Sequence, residues 1–220
     1  MAEQSNVAPL TILVVCTGNI CRSPVAERLL QAKLDDLGIP AIVHSAGTQS
    51  MVGHDMTPEA AQLATHYGAD ASQHRSQQLT EQLITDADLV LTATREHRSK
   101  VVSLYPRASR YSYTLNQFAR LLPTALESLA ESPVVEPVET PTPVVEPVET
   151  PQDNPSSRLR TLIAEVSATR GFSPPPLNPD DDDIEDPYRQ STAVYARVGV
   201  ILNNTVTQIT DAFATTTSRR

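Results

Sequence analysis

The 220-residue chain has no tryptophan, three phenylalanines, seven glycines and two cysteines. Aromatics make up 4% and hydrophobic residues 40%, so a core is available, but aliphatic side chains must build it. Cys16 and Cys21, five positions apart, cannot form a disulfide framework, which excludes a small secreted scaffold. No window approaches the ~20 apolar residues of a membrane span. The opening MAEQSNVAPL lacks the basic and apolar regions of a signal peptide, so a cytoplasmic chain with no membrane association is expected. The five histidines show no zinc-type spacing, and no metal or cofactor is expected.

Basic charge is also scarce. The formal net charge of −9 argues against a nucleic-acid partner. The acidity is local: residues 123–187 hold 14 acidic and 3 basic residues, which leaves 12 acidic and 14 basic elsewhere.

What is present alternates. TILVVC (from Thr11) reads as a strand buried on both faces, and Ala26, Leu29, Leu30, Leu34 and Leu37 follow with helical spacing up to Gly38 and Pro40. AIVHSAGT is a second strand. TPEAAQLATHYG is a helix with Thr57 as N-cap and Pro58 at its first position. DLVLTAT, a helix over REHRSKVVSLYP, a short strand near Tyr111–Thr114 and a helical LNQFARLL continue the pattern. It is that of an α/β fold, a parallel sheet with helices on both faces.

The pattern breaks where SPVVEPVETP is followed by TPVVEPVETP, and 13 of the 18 prolines lie within residues 123–187. The reading is one domain over 10–214, interrupted by a Pro/acidic-rich insertion over 123–183 that is largely disordered and is a candidate docking ligand for a proline-recognising partner. A helix over RLRTLIAEVSATRG interrupts that insertion, and the four aspartates from Asp180 read as a solvated run at its end. Residues 1–9 and 215–220 read as flexible ends. In the last helix, Val194, Val198, Ile201, Leu202, Val206, Ile209 and Phe213 share an apolar face.

The stretch VVCTGNICRSPVAE carries the chemistry. Cys16 and Arg22 form C-x5-R between a strand and a helix, at the carboxyl end of a parallel strand, where open α/β sheets bind ligands. With Ser23 as N-cap and Pro24 as first helical residue, the loop amides converge as an anion nest with the helix dipole behind them. Gly18 lets the backbone close, and Asn19 tolerates a left-handed conformation. The guanidinium of Arg22 grips two phosphate oxygens. The helix N-terminus, Arg22 and Ser23 favour a Cys16 thiolate, placed for attack on phosphorus.

These residues resemble the phosphate loop of the low molecular weight protein tyrosine phosphatases. The resemblance covers about 10–122 and 184–214, and it implies a three-layer α/β fold with a four-stranded parallel sheet. It implies Cys16 as nucleophile, Arg22 as phosphate clamp, Asn19 as loop organiser and Ser23 as thiolate stabiliser. Thr17, Gly18, Ile20 and Cys21 would line the phosphate site. Cys21 resembles the second loop cysteine, which can pair with the nucleophile on oxidation. The family's acid stands in an Asp-Pro-Tyr motif, here Asp186-Pro187-Tyr188, so Asp186 would be the acid and Tyr188 the ring-stacking wall. Arg189 stands where some relatives have a second aromatic. Ser45 and His74 match loop-supporting positions, whereas His44, His54, His66 and His97 carry no argument for function.

The activity implied is hydrolysis of a phosphotyrosine protein or peptide, a tyrosine kinase among the candidate substrates, with inorganic phosphate as product. The rivals are a protein arginine phosphatase, which resembles this chain but has threonine in place of Ile20, and an arsenate reductase on the same fold. A non-catalytic phosphate-binding scaffold is a third, set against the presence of Cys16, Arg22 and Asp186 together.

Overall fold

A computed structural model describes residues 8–131 and 154–218. Its frame is an all-parallel sheet of β1 (Leu10–Cys16), β2 (Ala41–Gly47), β3 (Leu89–Thr92) and β4 (Ser112–Thr114), in the order β2-β1-β3-β4. Alternate residues of β1 enter different cores. Leu10, Ile12 and Val14 face one layer of helices, and Leu13 and Val15 face the other. The first layer holds α1 (Arg22–Asp36), α5 (Leu115–Glu131), α6 (Pro155–Thr169) and α7 (Thr192–Ser218), with α2 (Pro58–His66) against α1 and α7. The second holds α3 (Glu81–Thr85) and α4 (Arg95–Leu104). The four-stranded sheet covered on both faces is the architecture expected.

Within the stretch expected to be a largely disordered insertion, the helix expected over residues 158–171 is present as α6, and what differs is its burial and the run of α5 past Pro123. Helix α5 runs through Pro123 to Glu131, and buried Leu121, Leu122 and Ala125 carry its apolar stripe across the proline. A proline inside a helix costs about 3 kcal/mol, and burial of that stripe offsets it. Helix α6 begins at an Asn154 cap, whose side chain accepts from the Ser157 N–H at 2.9 Å, with Pro155 in the first turn. It buries Leu159, Leu162, Ile163 and Val166 between α5 and α7. This helix belongs to the core. The VEPVET repeats lie outside the described residues. At the other end, α7 continues past residue 214 to Ser218 with Thr216 buried, so its last turn is packed where a flexible tail was expected.

Candidate active site

The loop between β1 and α1 is shaped by where its carbonyls go. The Cys16, Thr17 and Gly18 carbonyls accept from the backbone N–H groups of Thr48, Gln49 and Met51 at 2.9, 3.0 and 3.0 Å. The Asn19 carbonyl accepts from His74 Nε2 and Ser76 Oγ, both at 2.8 Å, and the Ile20 carbonyl from Thr57 N–H at 2.9 Å. The Cys21 carbonyl accepts the first helical bond, from Val25 N–H at 3.2 Å. Peptide units are planar and trans, so each following N–H points the opposite way, toward the loop's centre. Six carbonyls turned outward thus make a ring of donors, which is the electrostatics of an anion cradle.

Close approach makes this possible. A Cβ on Gly47 would lie 2.4 Å from the Thr17 carbonyl oxygen, so only glycine lets β2 pass there. Asn19 takes φ +58°, the left-handed turn that aims its carbonyl away from the cradle. Helix α1 starts two residues earlier than the capping pattern suggests. Its N-cap is Cys21, without a side-chain cap bond, and Ser23 lies within the first turn.

That frees the Ser23 hydroxyl. Asn19 Nδ2 donates to Ser23 Oγ at 3.0 Å and to Ser45 Oγ at 2.8 Å. With that lone pair occupied, the Ser23 O–H is available to donate to Cys16 Sγ, 3.0 Å away. Ser45 Oγ donates in turn to Glu27, a buried carboxylate on α1, and His74 Nδ1 lies 3.8 Å from the same oxygen. The Asn19 carbonyl can only accept, so His74 carries its proton on Nε2. Gln77 N–H completes the frame by donating to Asn19 Oδ1 at 2.9 Å. Ser45 and His74 are thus both hydrogen-bonded to Asn19 of the loop. Glu27 was not anticipated, although its place four residues after Ser23 puts both on one helix face.

Arg22 joins the loop to the segment before α7. Buried to 4% exposure, it donates from Nη1 to the Ile184 carbonyl at 3.0 Å and from Nη2 to Asp186 Oδ2 at 2.6 Å. Its Nε is buried with no partner among the described residues, a donor that an anion in the cradle would satisfy. Asp186 is held by the Tyr188 N–H, which donates to Oδ1 at 3.1 Å, and its side chain remains 48% exposed toward the cleft. Cys16, Thr17, Gly18, Ile20, Cys21, Arg22, Gln49, Met51, Asp186 and Tyr188 line a cavity of about 180 Å³. Ile20, Met51 and Tyr188 make its apolar wall. Arg189, at φ +62°, lies over the Tyr188 ring with its guanidinium carbon 5.0 Å from the centroid.

The aspartate run is only partly solvated: Asp180 and Asp181 are exposed, but every member has a partner. Asp182 is buried against Arg120, with Oδ2 2.9 Å from Nη2. Asp180 and Asp183 both pair with Arg95, at 2.6 and 3.0 Å, and the Asp181 carboxylate accepts from the Asn178 N–H in a capping box. Ile184 N–H then donates to the Ala93 carbonyl at 2.8 Å, which fastens the segment to the end of β3 two residues before Asp186. The acidic side chains thus divide among Arg120, Arg95 and a helix cap, which composition alone could not reveal.

His97, for which the sequence offered no function, also reaches the loop. Its ring is buried, with Nε2 2.8 Å from Thr17 Oγ1 and Nδ1 2.6 Å from Thr94 Oγ1. Burial first, then Arg22 and Lys100, pull its pKa down to about 4. Cys21 makes long contacts to Tyr195 and Thr57, and burial raises its thiol pKa. Both cysteines are free thiols. Among the described residues, no group of His, Cys, Asp and Glu is arranged to hold a metal, and no helix is long and apolar enough to cross a membrane.

A thiol at the floor of a donor ring, with an arginine, a facing carboxyl and an apolar wall, defines a cysteine-dependent phosphatase site on a parallel α/β sheet. The chain belongs to the family described as low molecular weight phosphotyrosine protein phosphatase, which it matches over residues 11–145. It is 40% identical over 107 residues to a probable low molecular weight protein-tyrosine-phosphatase, EpsP, of Ralstonia nicotianae, covering 49% of this chain and 71% of that protein. It is also 39% identical over 111 residues to a protein-arginine-phosphatase of Geobacillus stearothermophilus, covering 50% and 72%. Among solved structures, the Erwinia amylovora tyrosine phosphatase AmsI shares the fold, with a TM-score of 0.61, 23% identity and 99% of both chains covered.

Proposed function

We propose that this enzyme hydrolyses phosphotyrosine in protein or peptide substrates through a cysteinyl-phosphate intermediate. The observation that carries the reading is the outward accounting of six loop carbonyls, which leaves the amides, Arg22 and Cys16 facing one centre. The inward N–H groups and the unpartnered Arg22 Nε bind the phosphate oxygens. Arg22 gains a second anion as substrate enters, which loosens its hold on Asp186 Oδ2 and leaves that carboxyl facing the bridging oxygen.

Cys16 Sγ, with the Ser23 hydroxyl supporting its charge, then forms the S–P bond as the P–O bond breaks, and Asp186, which takes up a proton from solvent on release by Arg22, delivers it to the departing phenol. In the second half, Asp186 takes a proton from water, whose oxygen attacks phosphorus. The S–P bond breaks and inorganic phosphate leaves with the thiolate restored.

The apolar wall of Ile20, Met51 and Tyr188 supports an aromatic leaving group over phosphoarginine, whose guanidinium would find no polar side chain at Ile20. Free thiols at positions 16 and 21 suit a reducing, cytoplasmic setting. A tyrosine kinase is a candidate substrate, and the proline-rich repeats a candidate docking segment.

The test is phosphate release, without added metal, from matched phosphotyrosine and phosphoarginine peptides, with Cys16→Ser as the blank. Release from phosphotyrosine that vanishes in the blank is expected. Preference for phosphoarginine would keep the loop chemistry and overturn the substrate, and activity on neither would overturn the reading.

A further inference from the structure

The phosphate loop is braced on its β2 side by Asn19, Ser45, Glu27 and His74, but its first turn is braced from the opposite layer of the sheet. Thr94 caps α4, accepting the His97 N–H at 3.3 Å, and the same hydroxyl meets His97 Nδ1. The ring thereby has a fixed plane, and its Nε2 faces Thr17 Oγ1, on the residue that follows Cys16. Thr17 Oγ1 is also the acceptor for Arg22 Nη2 at 3.4 Å. A guanidinium only donates, so Thr17 oxygen accepts from it and its hydroxyl hydrogen is available to His97 Nε2, the ring's own proton then residing on Nδ1 toward Thr94. A run of donors results, Arg22 to Thr17 to His97 to Thr94, in which the imidazole must be neutral.

The charged groups that face His97 are Arg22 from α1, Lys100 and Glu96 from α4, and Asp186 from the segment before α7. Together with burial, the two cations keep the ring unprotonated at any neutral pH, so it neither supplies a catalytic proton nor competes with Asp186.

We propose that His97 is a positioning residue of the phosphate loop: it fixes the Thr17 hydroxyl, and with it the side of the cradle against which Arg22 lies, without touching substrate. This rests on the reading that the loop binds phosphate.

Calorimetric titration of the full chain with inorganic phosphate tests it. Glutamine at this position places an amide where Nε2 stood, whereas asparagine reaches only the Nδ1 position and leaves Thr17 unheld. His97→Asn and Thr17→Val are each expected to weaken phosphate about tenfold, and His97→Gln by less than about threefold. The Asn/Val double variant is expected to bind no more weakly than either single variant, because both remove the same contact.

Equal losses in His97→Gln and His97→Asn, additive losses in the double variant, or unchanged affinity in His97→Asn would each overturn the role. If His97→Asn does not fold, Thr17→Val with normal phosphate affinity overturns it alone. Wild-type hydrolysis of p-nitrophenyl phosphate separates the two levels. Turnover with unshifted variants removes only the role of His97, and failure of the wild type to bind phosphate removes the loop reading beneath it.

Discussion

Asp182→Asn tests whether the acid is carried on a fixed strap. The Asp182 side chain is 8% exposed and Arg120 28% exposed, with Nη2 2.9 Å from Oδ2, and Nε and Nη2 both 3.3 Å from Oδ1. Unit charges about 4 Å apart attract by about 4 kcal/mol at an effective dielectric near 20, before desolvation is subtracted. Breaking a buried pair by removing one partner costs about 3–5 kcal/mol. Here the loss is smaller, because Arg120 keeps its 2.7 Å bond to the Pro174 carbonyl and some access to water. Asparagine also preserves volume and one acceptor. About 2 kcal/mol is expected, which for a domain of this size lowers Tm by roughly 4–8 °C.

The functional consequence is selective. Asp186 lies four residues on, so a loosened strap should impair proton delivery, while the phosphate cradle, braced by other contacts, stays intact. Turnover of phenyl phosphate, whose leaving group needs the acid, should fall about tenfold more than turnover of p-nitrophenyl phosphate, and phosphate affinity should hold. Thermal unfolding and the two-substrate comparison check this. A Tm within about 1 °C of wild type, together with an unchanged substrate ratio, would refute the claim that this ion pair positions the acid.

Leu162 is fully buried on α6, so Leu162→Ala should cost about 2–5 kcal/mol in chemical unfolding; a loss under about 1 kcal/mol would mean that α6 is an appendage. Gly47→Ala forces a Cβ to within 2.4 Å of the Thr17 carbonyl, so both stability, by about 1–3 kcal/mol, and phosphate affinity should fall, and a crystal structure with an unmoved loop would contradict this. His97 is pulled from its ordinary 6.5 down to about 4, so the unfolded chain binds a proton there that the native state refuses. Stability should therefore rise with pH between about 4 and 6.5 and be lost on acidification, by up to roughly 3 kcal/mol. Urea unfolding across that window should be flatter for His97→Gln, and an identical slope would deny the shift.

The sequence was most legible where one residue determines one geometry. Strand–loop–helix alternation gave the sheet, and C-x5-R at a strand end gave the site, because an anion loop needs donors, a cation and a nucleophile within a few residues. Thr57 with Pro58 marked α2 because capping is local. The misreadings were of two kinds. At Pro123 proline density suggested a break, and the helix expected over residues 158–171 was read as an island in an insertion, but the apolar periods of Leu121, Leu122 and Ala125, and of Leu159, Leu162, Ile163 and Val166, fit a surface contributed by α7. Tertiary burial outweighed a local breaker. In the aspartate run and at His97, the partners Arg120, Arg95 and Thr17 are remote in sequence, and only the fold brings them near.

Those two groups of long-range contacts meet at a single side chain. Arg22 leaves α1 in the first turn, donates to the Ile184 carbonyl of the strap, pairs with Asp186 and touches the Thr17 hydroxyl that His97 holds. The strap is in turn held by Asp182 to α5 and by Asp180 and Asp183 to the start of α4. The proposed nucleophile, clamp and acid thus come from β1, α1 and the segment before α7, but their mutual geometry is set by one planar guanidinium that offers donors in several fixed directions. A lysine would supply the charge and lose the registration. On the proposed mechanism the acid can sit on a segment so far along the chain because Arg22 itself holds it until a phosphate arrives to take its place.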